Sequence, residues 1–247
     1  MPAWRTPPAS VKLGAAEVHV WRVPLDVGAP ATAATLSDEE RARASRFHFE
    51  QTRSRFIAGR SAVRDILARY TPDRRAPGEL RFVTGPYGRP ALAEPDGPRF
   101  NFSRSGPLGL CAVGANPTMG VDLELIRPIP EAGSITRSHF SPREQELLAS
   151  LHEPPESLAF QAAFYATWTR KEAFIKALGL GLAQPLDSFS VTMLPHQRPR
   201  LLEVPDGQPA AWTLRAFTPA PGYEGALAIR AGGVRLLFWT WTPPAAR

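Results

Sequence analysis

The sequence predicts an α+β protein whose 247 residues form two similar halves, each with a helical part and a strand part. Three observations lead there. Residues 17–23 (EVHVWRV) alternate apolar and polar side chains, the period of a half-buried strand. Helical spacing of apolar residues dominates 41–70 and again 141–178, and runs of strand-forming residues lie beyond each of these stretches. No strong internal repeat accompanies this rhythm. The boundary rests on the rhythm alone and gives an N-terminal half, 1–118, and a C-terminal half, 119–247.

After the strand at 17–23, Ser37-Asp38-Glu39-Glu40 offers a helix N-cap with acids in the first turn, where the helix dipole favours them. Phe56, Val63, Ile66 and Leu67 lie near helical spacing, so two consecutive helices are expected within Arg41–Tyr70. Prolines and glycines break the chain from Pro72 to Gly78. A short strand is expected at 80–83, followed by the turn Gly85-Pro86-Tyr87-Gly88-Arg89-Pro90. Strands at 108–114 and 120–125 flank Ala115-Asn116-Pro117-Thr118 and are predicted to pair as a hairpin. Ser141, Pro142 and Glu144 have the spacing of a capping box that opens a helix over 141–151. A longer helix runs from about 157 to 178, where Gly179 and Gly181 end it. Strands at 189–193, 212–217, 225–230 and 234–241 complete the chain.

The composition is that of a globular protein, with 43% hydrophobic and 21% charged residues. No apolar run approaches the roughly 18 to 20 residues a membrane helix needs, and MPAWRTPPAS lacks the character of a signal peptide. The single cysteine, Cys111, lies in an apolar run and excludes an internal disulfide framework. These features point to the cytoplasm and to no membrane partner. The net charge of +6 rests almost wholly on arginine and suggests an anionic partner. Only Lys12, Lys171 and Lys176 are lysines, two of them within six residues of each other. The five histidines lack metal-ligand spacing, so a zinc site is not expected.

Four constellations carry candidate chemistry. In Gly120-Val121-Asp122-Leu123-Glu124, alternate strand side chains share a face, so Asp122 and Glu124 point the same way at roughly 7 Å spacing. Such a pair suits a hard cation such as Mg²⁺, which takes carboxylates, phosphate oxygens and waters. An ordinary amphipathic strand with both acids solvated is the plainer alternative. In the long helix, Phe160, Phe164, Trp168, Glu172 and Lys176 form one slowly rotating stripe that starts apolar and ends charged. Glu172 and Lys176 are then expected to meet a crevice, or else to form a surface i,i+4 pair. Phe100-Asn101-Phe102-Ser103-Arg104-Ser105-Gly106 reads as a polar, basic turn able to hold a phosphate, or as a solvated turn. Tyr87-Gly88-Arg89-Pro90 is by itself a turn with an exposed arginine.

Taken in order, these segments resemble the Sfp-type (surfactin-type) 4′-phosphopantetheinyl transferase family. The resemblance runs over about 41–190, from the arginine-rich helix through YGRP, FNFSRSG, GVDLE and FSPRE to WTRKEAFIKALGLGL and PLDSF. It implies two pseudo-twofold-related α/β halves in one monomeric chain with coenzyme A between them, the adenine and 3′-phosphate meeting the N-terminal half. It implies a holo-[acyl-carrier-protein] synthase activity that moves phosphopantetheine onto a serine of acidic apo carrier proteins and releases 3′,5′-ADP. Asp122, Glu124 and Glu172 would hold Mg²⁺, with Asp122 also beside coenzyme A. Lys176 would contact a phosphate and serve catalysis with Glu172. Glu144 would be the base that takes the serine proton, with its capping-box role as the structural alternative. Arg43, Arg89, Pro90, Ser103 and Arg104 would line the coenzyme A cleft. One departure stands out, since the family has histidine where this chain has Arg104.

Two other readings compete. A nucleic-acid-binding protein using the arginines of 41–69 explains the charge but leaves the acids of GVDLE and KEA unexplained. A degenerate relative that binds coenzyme A without transfer is favoured by Arg104 alone.

Overall fold

The computed structural model describes residues 2–8, 10–27, 33–71 and 75–243, and the side chain of Leu182 is not described. Pro72–Arg74, part of the predicted break, lie outside the described residues. The chain divides into two compact units. One comprises Ala3–Ala115 with Arg235–Arg247, and the other Met1–Pro2 with Asn116–Val234.

In the first unit the strands are β1 (Glu17–Pro24), β2 (Phe82–Thr84), β3 (Pro90–Leu92), β4 (Arg99–Ser105) and β5 (Leu108–Gly114), with β11 (Arg235–Thr240) from the far end of the chain. The main sheet has the order β11-β1-β5-β4, and β11 runs parallel to β1. The sequence reading placed that last strand with 119–247. Helices α1 (Asp38–Ser45) and α2 (Glu50–Ala68) are the expected consecutive pair. Ser37 caps α1 and Glu40 closes a capping box, so two otherwise unpaired N–H groups are satisfied. Helix α2 buries Ala58, Ala62, Val63, Ile66 and Leu67 in one cluster with Trp21, Val23, Cys111 and Trp241.

Most arginines of this helical pair are held inside the unit. Arg60 and Arg64 both bond the carboxylate of Glu40, and Arg64 also donates to Pro77 O (3.0 Å) and Leu80 O (2.8 Å). Arg55 forms a two-pronged pair with Asp26, at 2.6 and 2.9 Å. Arg41, Arg53 and Arg69 pair with Asp38, Glu50 and Asp65.

Two sequence expectations are corrected here. β5 does not form a hairpin with the strand at 120–125. It is buried along its whole length, with β1 on one edge and β4 on the other, so it has no edge left to offer. FNFSRSG is not a turn either. It is β4 itself, and the hairpin is β4–β5, turning at Gly106 with φ 56.

The second unit is built on β6 (Met119–Leu125), β9 (Thr213–Phe217) and β10 (Tyr223–Ile229), in the order β6-β10-β9, with the short pair β7 (Ser190–Val191) and β8 (Leu201–Glu203). Its helices are α3 (Ala132–His139), α4 (Pro142–Ser150) and α5 (Leu158–Leu178). The predicted Ser141–Glu144 capping box opens α4, and Gly179, at φ 71, ends α5 as a left-handed cap. Ala173, Phe174 and Ala177 of α5 pack with Ala226, Ala228 and Leu214. Phe140, Phe164 and Trp168 stack in a second cluster.

Candidate active site

The site begins with a glycine. A Cβ on Gly120 would lie 2.7 Å from the carbonyl carbon of Lys176 and closer still to Ala173 O and Ala177 N. Glycine therefore lets the backbone of α5 lie directly on β6, which any larger residue would prevent. It also shows which face of β6 meets the helix. Side chains two apart share a face, so Asp122 and Glu124 project on the α5 side. Asp122 is accordingly 2% exposed rather than solvated. Val121 and Leu123, on the opposite face, are fully buried as well.

Helix α5 brings the end of its aromatic stripe to this point. Phe160 and Phe164 are buried, while Trp168, Glu172 and Lys176 are half-buried, so the stripe leaves the core as it turns from apolar to charged. Lys176 does not lie along the helix toward Glu172 as a surface pair. Its Nζ donates to Asp122 Oδ1 at 2.5 Å. Glu172 has its carboxyl pKa pushed above the usual range, first by burial and further by the charge of Asp122, against the opposing charges of Lys176 and His139. Two carboxylates and an ammonium thus share one half-buried spot. Glu124, half-buried on the same strand face, stands directly opposite Glu224 of β10, and Glu124's charge acts on Tyr165.

Glu144 lies elsewhere in the unit. It is 1% exposed, and both its carboxylate oxygens are engaged. Oε2 accepts from Ser141 N (2.9 Å) and Lys171 Nζ (2.6 Å), and Oε1 accepts from Val191 N (2.8 Å). It is not among the charges that act on Glu172.

In the first unit, Arg104 and Phe102 share the face of β4 that looks toward α2, because side chains alternate along a strand. Partial burial and the charges of Arg43 and Arg55 all disfavour a further positive charge at Arg104 and lower its pKa. Arg43 stacks its guanidinium over Phe56 at 5.5 Å. Arg104 and Arg43 have no carboxylate partner among the described residues, whereas Arg55 is neutralised by Asp26. Ser103 is buried and, by the same alternation, points away from Arg104, so the two side chains do not form one phosphate-binding turn. Arg89 follows the left-handed Gly88 and precedes Pro90, the first residue of β3. Burial and the charge of Arg99 lower the Arg89 pKa.

A family model described as the 4′-phosphopantetheinyl transferase superfamily matches residues 118–229, the stretch that holds Asp122, Glu124, Glu144, Glu172 and Lys176. The 4′-phosphopantetheinyl transferase HetI of Nostoc sp. is 37% identical over 96% of this chain and 97% of its own length. This chain belongs to the Sfp-type 4′-phosphopantetheinyl transferase family. The 4′-phosphopantetheinyl transferase Sfp of Bacillus subtilis is 34% identical, covering 78% of this chain and 81% of its own.

The donor set of this transferase fits a hard divalent cation in kind: Asp122 and Glu172 crowd each other, and Glu124 is two residues along the same strand face. Among the described residues no three acid, histidine or cysteine side chains converge to ligand distance, and the Lys176 ammonium holds Asp122. Sequence reasoning missed His139, whose ring meets Trp168 edge-on at 6.1 Å and whose charge reaches Glu172. It also missed Lys171, buried beside Glu144, and Arg170, which donates to Thr192 O and Leu194 O. The scarcity of lysine in an arginine-rich chain was the one signal that pointed at Lys171.

Proposed function

We propose that this transferase moves the 4′-phosphopantetheine moiety of coenzyme A onto a serine of an acidic apo carrier protein, with Mg²⁺, and releases 3′,5′-ADP. The observation that carries this reading is the packing of α5 on Gly120, which sets Glu172 and Lys176 against Asp122. Asp122, Glu124 and Glu172 would hold the cation, which when bound neutralises charge developing on the pyrophosphate. Lys176 would leave Asp122 and donate to a phosphate oxygen. In the reaction the serine Oγ bonds to the β-phosphorus, and the bond from that phosphorus to the bridging oxygen breaks. The electron pair leaves on 3′,5′-ADP, and the serine proton passes to solvent.

The guanidiniums of Arg43 and Arg104 would take the 3′-phosphate, and Arg89 and Pro90 would line the rest of the nucleotide cleft, without the side chain of Ser103, which is buried on the other face of β4. Arginine pairs a phosphate through two parallel N–H donors, so its presence where relatives have histidine retains binding. We further assign the protein to the cytoplasm, as a monomer. No helix among the described residues is long and apolar enough to cross a membrane. The pairing of Arg41, Arg53, Arg55, Arg60, Arg64 and Arg69 with acids of their own chain weakens the electrostatic case for a nucleic-acid partner.

The test is to incubate the protein with coenzyme A, Mg²⁺ and a panel of apo carrier proteins. A carrier gaining the mass of one phosphopantetheine arm, and only with Mg²⁺ present, supports the reading. Folded protein that modifies no carrier refutes it.

A further inference from the structure

Helix α5 carries two kinds of charged side chain near its C-terminal end. Glu172 and Lys176 turn toward Asp122, while Arg170 and Lys171 turn inward and are fully buried. The ammonium of Lys171 donates to Glu144 Oε2 and to Phe189 O, each at 2.6 Å, and lies 4.2 Å from the centre of the Phe189 ring. Its three donors thus meet the first turn of α4, the backbone just ahead of β7, and an aromatic face. Glu144 in turn binds the N-cap of α4 through Ser141 N and the strand β7 through Val191 N. The pair therefore ties α4 and the start of β7 to one side of α5. Arg170 adds a second tie through Thr192 O at 2.5 Å.

Consecutive residues on a helix are about 100° apart, so fixing the direction of Lys171 fixes that of Glu172. Gly120 sets how closely α5 approaches β6, and Ala173, Phe174 and Ala177 hold one face of the helix on the sheet. The Lys171–Glu144 pair holds another side against α4 and β7 and so fixes the roll from that direction. A base for the carrier serine needs a lone pair that the serine can reach. The Glu144 carboxylate is shielded from solvent and engaged at both oxygens.

We propose that Lys171 and Glu144 are a positioning pair, which sets the roll of α5 so that Glu172 and Lys176 face Asp122, and that Glu144 takes no proton from the substrate. The proposal rests on the transferase reading above and deepens it.

The test compares Glu144→Gln, Lys171→Met and the double variant in the full chain. It reads Mn²⁺ affinity by the resonance of free Mn²⁺, melting temperature, and kcat and KM for coenzyme A with a carrier. Each single change leaves one buried charge without its partner. Melting temperature, Mn²⁺ affinity and kcat should then fall together, with Mn²⁺ binding about tenfold or more weaker. The neutral double variant should recover all three, with kcat within about tenfold of the parent. Removal of a general base has a different signature, a kcat loss of about 10²–10⁴-fold. A double variant that melts and binds Mn²⁺ like the parent but keeps such a loss overturns the proposal. So does a Lys171→Met variant with unchanged Mn²⁺ affinity. Failure of the parent protein to bind Mn²⁺ or modify any carrier overturns the underlying transferase reading instead.

Discussion

Gly120→Ala is the smallest change that should dismantle the site, and its expected sign is opposite to the generic one. Gly120 lies in a strand at a negative φ, where replacing glycine with alanine ordinarily stabilises by about 0.4–1 kcal/mol through the unfolded chain. Here the new methyl would sit 2.7 Å from the carbonyl carbon of Lys176, and nearer to Ala173 O and Ala177 N, all backbone atoms that cannot swing away. Ordinary contact begins near 3.4 Å, and the two nearer atoms set the limit, so α5 must retreat by about 1 Å. Overpacking of this kind costs about 3 kcal/mol, which in a chain of this length lowers Tm by about 6–12 °C. The same retreat lifts Glu172 and Lys176 from Asp122. A displacement of about 1 Å costs about 100-fold in rate, so kcat should fall at least tenfold. Thermal unfolding and a carrier-modification assay read the two effects separately. A Gly120→Ala protein with Tm and kcat unchanged, or with Tm raised, would refute the close-approach argument.

Three further outcomes are expected. Asp122→Asn should abolish Mn²⁺ binding in a direct titration and reduce carrier modification at least 100-fold, while leaving the fold intact by circular dichroism. Arg104→Ala should raise the KM for coenzyme A about tenfold or more with kcat little changed, because a charge-assisted phosphate contact contributes about 1.5–3 kcal/mol; an unchanged KM would remove Arg104 from the nucleotide site. At Glu40, burial raises the carboxyl pKa, but the Arg64 hydrogen bond and the Arg60 charge outweigh it and hold the pKa below 4.5. A depressed pKa means the stabilisation is fully present above about pH 4.5 and is lost as pH falls through the folded value. Glu40→Gln should destabilise the protein by about 3–5 kcal/mol near neutrality, less at pH 3, as read by urea unfolding at both pH values.

The parts of this fold written in local sequence were legible. Ser37 with Glu40 and Ser141 with Glu144 are spaced so that one side chain bonds the other's backbone within a single turn, and Gly179 needs only its own φ. The site motifs were legible for the same reason: Gly120, Asp122 and Glu124 alternate on one strand, and Glu172 and Lys176 lie one turn apart on one helix. What failed was pairing over distance. Nothing near residue 120 says that β6 takes β10, with Glu124 opposite Glu224, in place of its neighbour in sequence. Nothing near residue 235 says that β11 joins β1. The polar and basic residues Asn101, Ser103 and Arg104 disguised a strand as a turn, because Arg104 is exposed while Asn101 and Ser103 are buried. Lys171 was hidden for another reason. Between Arg170 and Glu172 it looks like part of a solvated helix face, and only tertiary structure shows it pairing with a carboxylate 27 residues earlier.

The parallel pairing of β1 with β11 has a consequence for how the chain is made. The unit containing β1 is interrupted by the whole of Asn116–Val234, and its main sheet lacks an edge strand until Arg235–Thr240 have been synthesised. At translation rates of about 5–20 residues per second, that delay is about 6–24 s. Apart from its first two residues, the unit with the acidic site is continuous in sequence and can complete its own sheet while the earlier one still waits. During that interval the β1 edge, with its row of unpaired backbone groups, is open to any other extended segment nearby. The order of assembly is therefore reversed with respect to the order of synthesis: what emerges first from the ribosome closes last.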